Sequence, residues 1–240
     1  MSFDLPADVV VPVRSVRVRL DPAPHPFVSE HQAAIADHWV EVQAGNPAVY
    51  DGEVALLSSL RFEDNDLVGR CHIVRYSAFL YWRKLRPVGG AGHAYTHAML
   101  VSSDNALVLI RMAANTVNAG LVYCAAGSFE PADFREGMAD LEYNMRREVL
   151  EETGLDIAGL RHEPYYHVLS KTTGTVLFRR YFHDLDADEL ARRIHEHVAG
   201  ERDPEIEGPV IVRDRGDLPD RLAPQMPALI DWHFSTPRIR

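Results

Sequence analysis

Residues Val13 to Leu20 alternate apolar and polar (Val, Arg, Ser, Val, Arg, Val, Arg, Leu), the period-two pattern of a half-exposed strand. Three prolines in Pro22-Ala-Pro24-His-Pro26 end it. Ser29, with Gln32 three residues later, reads as a capping box opening a helix, and Ile35, Trp39 and Val42 supply its apolar stripe. Gly45 and Pro47 stop it. Two strands are expected next, Tyr50 to Leu57 and Leu67 to Val74, joined by an acidic loop around Glu63, Asp64 and Asp66. Tyr76 to Leu85 suits a helix; its Phe79, Tyr81 and Trp82 serve either as core and inter-domain packing or as a base-stacking surface.

Pro87-Val-Gly-Gly-Ala-Gly92 is the strongest boundary signal, dividing the chain into residues 1–90 and 91–240. Beyond it, Ala94 to Val101 and Ala106 to Met112 read as a hairpin around Ser103-Asp104-Asn105. Leu121 to Ala126 is a third strand, followed by a long loop and an acidic helix. Val176 to His183 and Val210 to Val212 are further strands. Glu189 to Ala199 carries Leu190, Ile194 and Val198 at intervals of four, and Pro227 to Phe234 is a closing helix. The class expected is α+β.

The 240 residues are 46% hydrophobic and 25% charged, enough apolar material for one large or two small cores. A net charge of −10 argues against a nucleic-acid surface. Cys71 and Cys124 are far apart beside apolar residues, so they are read as buried free thiols in a reducing compartment, and their spacing offers no zinc site. The first residues lack the basic and apolar regions of a signal peptide, and no apolar run reaches the roughly 20 residues that span a bilayer. A cytoplasmic location is therefore expected, with no membrane partner.

One stretch carries chemistry. Arg147 to Leu155 reads Arg-Glu-Val-Leu-Glu-Glu-Thr-Gly-Leu. On a helix Glu148 and Glu152 are one turn apart with Glu151 between them, so three anions share one side. Such a set suits a hard divalent cation, since Mg2+ is commonly held by carboxylates together with substrate phosphates. Gly154 suits the left-handed position that ends a helix.

These nine residues resemble the second half of the Nudix box, in which Arg147, Glu148, Val149, Glu151, Glu152, Gly154 and Leu155 fill every fixed place. The first half departs from the pattern. Leu121 to Ala126 followed by Gly127-Ser-Phe-Glu130-Pro131 resembles the family's strand and its Gly-x-x-Glu-Pro loop, making Gly127 the box glycine and the loop to Arg147 six residues longer than standard. The box glutamate has Asp133 or Asp140 as its nearest counterpart, and Asp140 serves equally as a helix N-cap. The lengthened loop, Gly127 to Asp140, is expected to face the substrate.

The resemblance implies a Nudix-type α/β/α sandwich with a mixed sheet over roughly residues 93 to 234, preceded by a small α+β domain. Trp39, Asn46-Pro47 and Asp51-Gly52 weakly resemble the N-terminal domain of a Nudix subgroup that includes a UDP-sugar hydrolase, which ranks nucleotide sugars first among substrates. The implied activity is hydrolysis of a phosphoanhydride bond in a nucleoside diphosphate linked to another group, with Mg2+ or Mn2+ as cofactor. The alternative is a non-catalytic Nudix-fold module that binds and senses a nucleotide. Implied metal ligands are Glu148, Glu151, Glu152 and the Gly127 carbonyl; Arg147 supports a carboxylate, with Asp140 or Glu130 as candidate partners. Glu205, in Asp203-Pro-Glu-Ile-Glu207, is either an extra ligand or base or part of a solvated acidic loop. Arg111, in Leu109-Ile-Arg-Met, is the candidate phosphate contact, and of Arg179 and Arg180 one is expected to point inward. The partner expected is a small nucleotide; a homodimer is left open.

Overall fold

A computed structural model describes residues 3–47 and 49–237. Its first elements are β1 (Phe3–Asp4), β2 (Val10–Val13), β3 (Ser15–Leu20), α1 (Pro26–Glu30), α2 (Gln32–Gly45), β4 (Glu53–Glu63), β5 (Asp66–Arg75) and α3 (Tyr76–Leu85). Then come β6 (Ala94–Val101), β7 (Leu107–Met112), β8 (Val122–Tyr123), a 3-10 turn (Pro131–Asp133), β9 (Phe134–Arg135), β10 (Met138–Ala139) and α4 (Leu141–Thr153). The last are β11 (Arg161–His162), β12 (Tyr166–Lys171), β13 (Gly174–Phe182), α5 (Ala187–Gly200), β14 (Ile206–Val212) and α6 (Met226–Ser235). The class is mixed α+β, as the sequence predicts. Among the described residues no helix is long and apolar enough to cross a membrane.

The chain divides into two compact units. The first comprises Met1–Tyr95, Ser128–Leu141 and Val168–Val176; the second comprises Thr96–Gly127, Glu142–His167 and Leu177–Arg240.

In the first unit a six-stranded sheet runs β1-β4-β5-β3-β10-β9. It is mixed: β1 with β4 and β3 with β5 are parallel, whereas β4 with β5 is antiparallel. Arg14 interrupts the predicted strand between β2 and β3, where its guanidinium forks onto Asp66 through bonds of 2.9 and 2.8 Å. The helix predicted to start at Ser29 is two helices. His25 caps α1, its Nδ1 accepting from the Phe27 N–H, with Pro26 in the first turn; Ser29 lies inside. Asp51 accepts the Ser77 N–H at 2.7 Å in the first turn of α3. Phe27, Ile35, Leu56, Phe79 and Trp82 are buried together with Tyr81 packed against them, so the α3 aromatics form core. Each large apolar side chain there contributes about 1.5–3 kcal/mol by leaving water.

Part of the segment expected to face substrate, β9 and β10, is ordered on this sheet. Glu130 and Asp133 cap the 3-10 turn reciprocally, and β9 and β10 form a hairpin in which Met138 lies opposite Arg19 of β3. Asp133 is buried and accepts the Glu130 N–H through its carboxylate and the Asp140 N–H through its carbonyl, so this counterpart of the box glutamate holds a turn together.

The sheet of the second unit has the order β14-β7-β6-β13, with β11 on β13 and β8 on β7. In the second unit β14 pairs antiparallel with β7, with a bulge between Ile206 and Gly208. The sequence shortens this strand to Val210–Val212 because Gly208 and Pro209 break its pattern, and an edge strand tolerates both. Both Arg179 and Arg180 are buried, because all nine residues of β13 are shielded from solvent. Burial of Arg180 is made tolerable by Glu163, whose Oε1 accepts from Nε at 3.0 Å and Nη2 at 2.6 Å. Asp186 caps α5 by accepting the Glu189 N–H at 2.8 Å, and Leu190 and Ile194 give that helix a buried stripe.

Candidate active site on helix α4

Helix α4 belongs to the second unit from Glu142 onward. Met145, Val149 and Glu152, at intervals of four and three, are buried, so the helix packs by this stripe. The helix ends at Gly154, whose φ of 69° is left-handed and whose N–H donates to the Leu150 carbonyl at 2.9 Å. Space demands glycine there as well: a Cβ would come within 2.7 Å of the His197 ring. His197 donates from Nε2 to the Glu151 carbonyl at 3.1 Å, satisfying a backbone acceptor in the last turn. His197 thus holds the helix end from α5, a role its spacing from His195 does not reveal.

Gly127 lies against the carboxylates. Any side chain at this position would overlap the Glu148 carboxylate, since a Cβ would fall on Oε1, Cδ and Oε2 of that residue. The Glu148 carboxylate thus lies in the space that a side chain at residue 127 would take, and it would have to turn aside for any other residue type. The preceding Ala126 N–H donates to Glu152 Oε2 at 2.9 Å.

Arg147 joins two of the three glutamates. Its Nη2 donates to Glu148 Oε1 at 2.7 Å and its Nη1 to Glu151 Oε2 at 2.9 Å. The Arg147 and Glu148 side chains are 15% and 13% exposed, while that of Glu151 is 57% exposed, so the first pair is the better desolvated of the two. Glu152 differs from both. Burial pushes its carboxyl well above the usual carboxylate range; the charges of Glu148, Glu205 and Glu151 push the same way, and the Ala126 amide opposes them. Glu205 is thus one of the carboxylates whose charge raises Glu152. Glu205 itself is exposed, directly before β14, and its carbonyl accepts the Ala113 N–H at 2.9 Å.

The donor set fits a hard cation in kind, being oxygen throughout, with negative charge in excess around a buried carboxyl. Among the described residues, no three His, Cys, Asp or Glu side chains close on a common point as a metal group. Arg147 instead takes up one oxygen each of Glu148 and Glu151. The remaining candidate, Arg111 on β7, donates to the Gly120 carbonyl at 3.2 Å and to Asp220 at 2.8 Å. Its fork is thereby committed within the protein.

Two neighbours of the site carry no sequence signal. Thr96 and Asn144 are fully buried and hydrogen-bonded through Oγ1 and Oδ1, and the Thr96 N–H donates to the Gly127 carbonyl at 3.4 Å. A threonine in a strand and an asparagine in a helix are too common to mark a site by pattern.

No family model matches the chain, and no curated protein matches it. Solved structures do. One is a protein of Deinococcus radiodurans, 14% identical, with a TM-score of 0.44 over 76% of this chain and 99% of that one. Another is the Nudix domain of NrtR from Shewanella oneidensis complexed with ADP ribose, 15% identical, with a TM-score of 0.37 over 64% of this chain and 94% of that one. A MutT protein from Methanosarcina mazei is 20% identical, with a TM-score of 0.28 over 38% of this chain and 61% of that one. In its α4 residues and in the glycine set against them, the chain resembles the Nudix family.

Proposed function

We propose that residues 91–240 form a Nudix-type diphosphatase domain that hydrolyses a phosphoanhydride bond in a nucleoside diphosphate linked to another group, with nucleotide sugars first among the substrates. The observation that carries this reading is the approach of Gly127 to the Glu148 carboxylate, which brings the box glycine to the acidic helix. Residues 1–90 are read as a separate α+β domain, which residues 91–95, 128–141 and 168–176 join in one compact unit, and the protein as cytoplasmic.

In this reading Glu148, Glu151, Glu152 and the Gly127 carbonyl hold Mg2+ or Mn2+. The cation supplies neutralisation of the negative phosphate oxygens, which otherwise repel an attacking water. Arg147 fixes the rotamers of Glu148 and Glu151 through its two bonds. The Ala126 amide fixes Glu152. Glu205 is the choice for the group that takes the proton of the attacking water, being exposed and near in charge to the buried Glu152. Water adds to one phosphorus, the bridging P–O bond breaks, and the products are a nucleoside monophosphate and the phosphate ester of the leaving group. Arg111 would contact substrate phosphate by exchanging Asp220, its exposed partner.

A phosphate-release screen of nucleotide sugars, dinucleotides and acyl-CoAs with Mg2+ and Mn2+ tests the proposal, with phosphatase coupled to release phosphate from the monoester products. Metal-dependent turnover of at least one class is expected. Saturable nucleotide binding without turnover would select the non-catalytic sensing module instead.

A further inference from the structure

We infer that Thr96 and Asn144 are positioning residues that hold Gly127 and Glu148 in register, so that carbonyl and carboxylate can serve one cation. The inference rests on the metal reading above and adds residues to it. Thr96 is bonded to both sides of the site. Its backbone N–H donates to the Gly127 carbonyl at 3.4 Å, and its hydroxyl is bonded to the Asn144 side chain. Asn144 lies four residues before Glu148, hence on the same face of α4 one turn earlier. Glu148 in turn occupies the space where a Gly127 side chain would be. The four residues therefore form a closed circuit from glycine to threonine to asparagine to glutamate and back to glycine.

The circuit is dry. Thr96 and Asn144 are both 0% exposed, so their side-chain bond faces no competition from water. Apolar residues of similar shape would fill the same space and pack the strand against the helix equally well. What a directional bond adds is a fixed rotation and translation of α4 relative to Gly127, and a cation shared between the two sides is sensitive to shifts of a few tenths of an ångström in ligand position.

The test uses the full chain and Mn2+ alone. Free aqueous Mn2+ gives a sharp electron paramagnetic resonance signal that is lost on binding, so a titration reads affinity without any substrate. Thr96→Val removes the hydroxyl and keeps the shape; Asn144→Leu removes its partner; Thr96→Ser restores the hydroxyl. Circular dichroism and melting temperature show which proteins are folded. Folded Thr96→Val and Asn144→Leu proteins are expected to bind Mn2+ about tenfold or more weakly, with Thr96→Ser within twofold of wild type. Wild-type affinity in either folded apolar variant would overturn the inference. So would a Thr96→Ser protein that binds as weakly as Thr96→Val, since the methyl group and not the bond would then set the site; this comparison stands even if Asn144→Leu does not fold. Should the wild-type chain itself leave the Mn2+ signal unchanged, the metal reading fails and this role falls with it.

Discussion

Two buried glutamates in the same unit are treated in opposite ways. Glu163 is 1% exposed, and its carboxylate receives the Arg180 guanidinium on one oxygen and the Arg180 N–H on the other. The guanidinium in turn donates to the Thr236 and Pro237 carbonyls and lies over the Trp232 ring. Every charge there has its opposite. Glu152 is 5% exposed and has an amide from Ala126, while burial and the charges of Glu148, Glu205 and Glu151 all raise its carboxyl. A protein that needed Glu152 only to fold would do better with an apolar residue there. Retaining a carboxyl in such a place fits a group whose counter-charge arrives from outside the chain, which is the physical content of the metal proposal.

The first way to break this comparison is to unpair the satisfied carboxylate. Glu163→Ala should cost about 3–5 kcal/mol of stability, because it strands a guanidinium that is 0% exposed. Chemical denaturation measures it. The residual folded protein should turn over substrate at close to the wild-type rate, since nothing in the pair touches α4's carboxylates. A loss below about 1 kcal/mol would mean that water or another group replaces the carboxylate, and the contrast with Glu152 would dissolve.

Glu151→Gln and Glu152→Gln address the other side. Each should lower turnover by about 100-fold or more, equivalent to roughly 2.7 kcal/mol of transition-state stabilisation, with melting temperatures showing both folded. Steady-state kinetics on the best substrate of the screen provides the measurement. Activity within a few-fold of wild type in both variants would remove the acidic helix from the chemistry.

The comparison also explains what the sequence makes legible. Glu148, Glu151 and Glu152 stand out because a helix needs no such crowding of like charge, so their spacing reads without any structure. Gly127 stands out through the strand and the Glu-Pro that flank it. Glu163, by contrast, is one acidic residue among 35, and its partner lies 17 positions away across a sheet. Thr96 and Asn144 meet across 48 positions and look ordinary in both places. Among elements, α3 and α5 are readable from local patterns of apolar residues, whereas β12 (Tyr-His-Val-Leu-Ser-Lys) lacks an alternating pattern and is found only through its neighbours. The β9–β10 hairpin is missed for the same reason: two-residue strands owe their existence to β3. Local periodicity is visible in a sequence; satisfaction by a distant partner is not.

The smallest expected effect is the sharpest test of Glu152's isolation. Its carboxyl titrates well above the ordinary range in the folded chain, so the folded state binds its proton more tightly than the unfolded one. The stabilising contribution of that proton is complete below the unfolded value of about 4.3 and is lost as pH rises through the raised folded value. At pH 8 in EDTA, well above the unfolded value, wild-type protein therefore bears the cost of placing this carboxyl among anions, whether the proton is kept or lost. Glu152→Gln has no such charge, and its side-chain carbonyl can still accept the Ala126 N–H. The variant should melt a few degrees above wild type at pH 8 in EDTA, and the gain should shrink toward zero near pH 4.5. Millimolar Mn2+ should reverse the order at pH 8, because an ion that binds only the native state stabilises the protein that retains the carboxylate. Scanning calorimetry at the two pH values, with EDTA and with Mn2+, separates the effects. If Glu152→Gln is less stable than wild type at pH 8 in EDTA, the carboxylate is already neutralised by groups within the chain, and Glu152 belongs with Glu163 rather than opposite it.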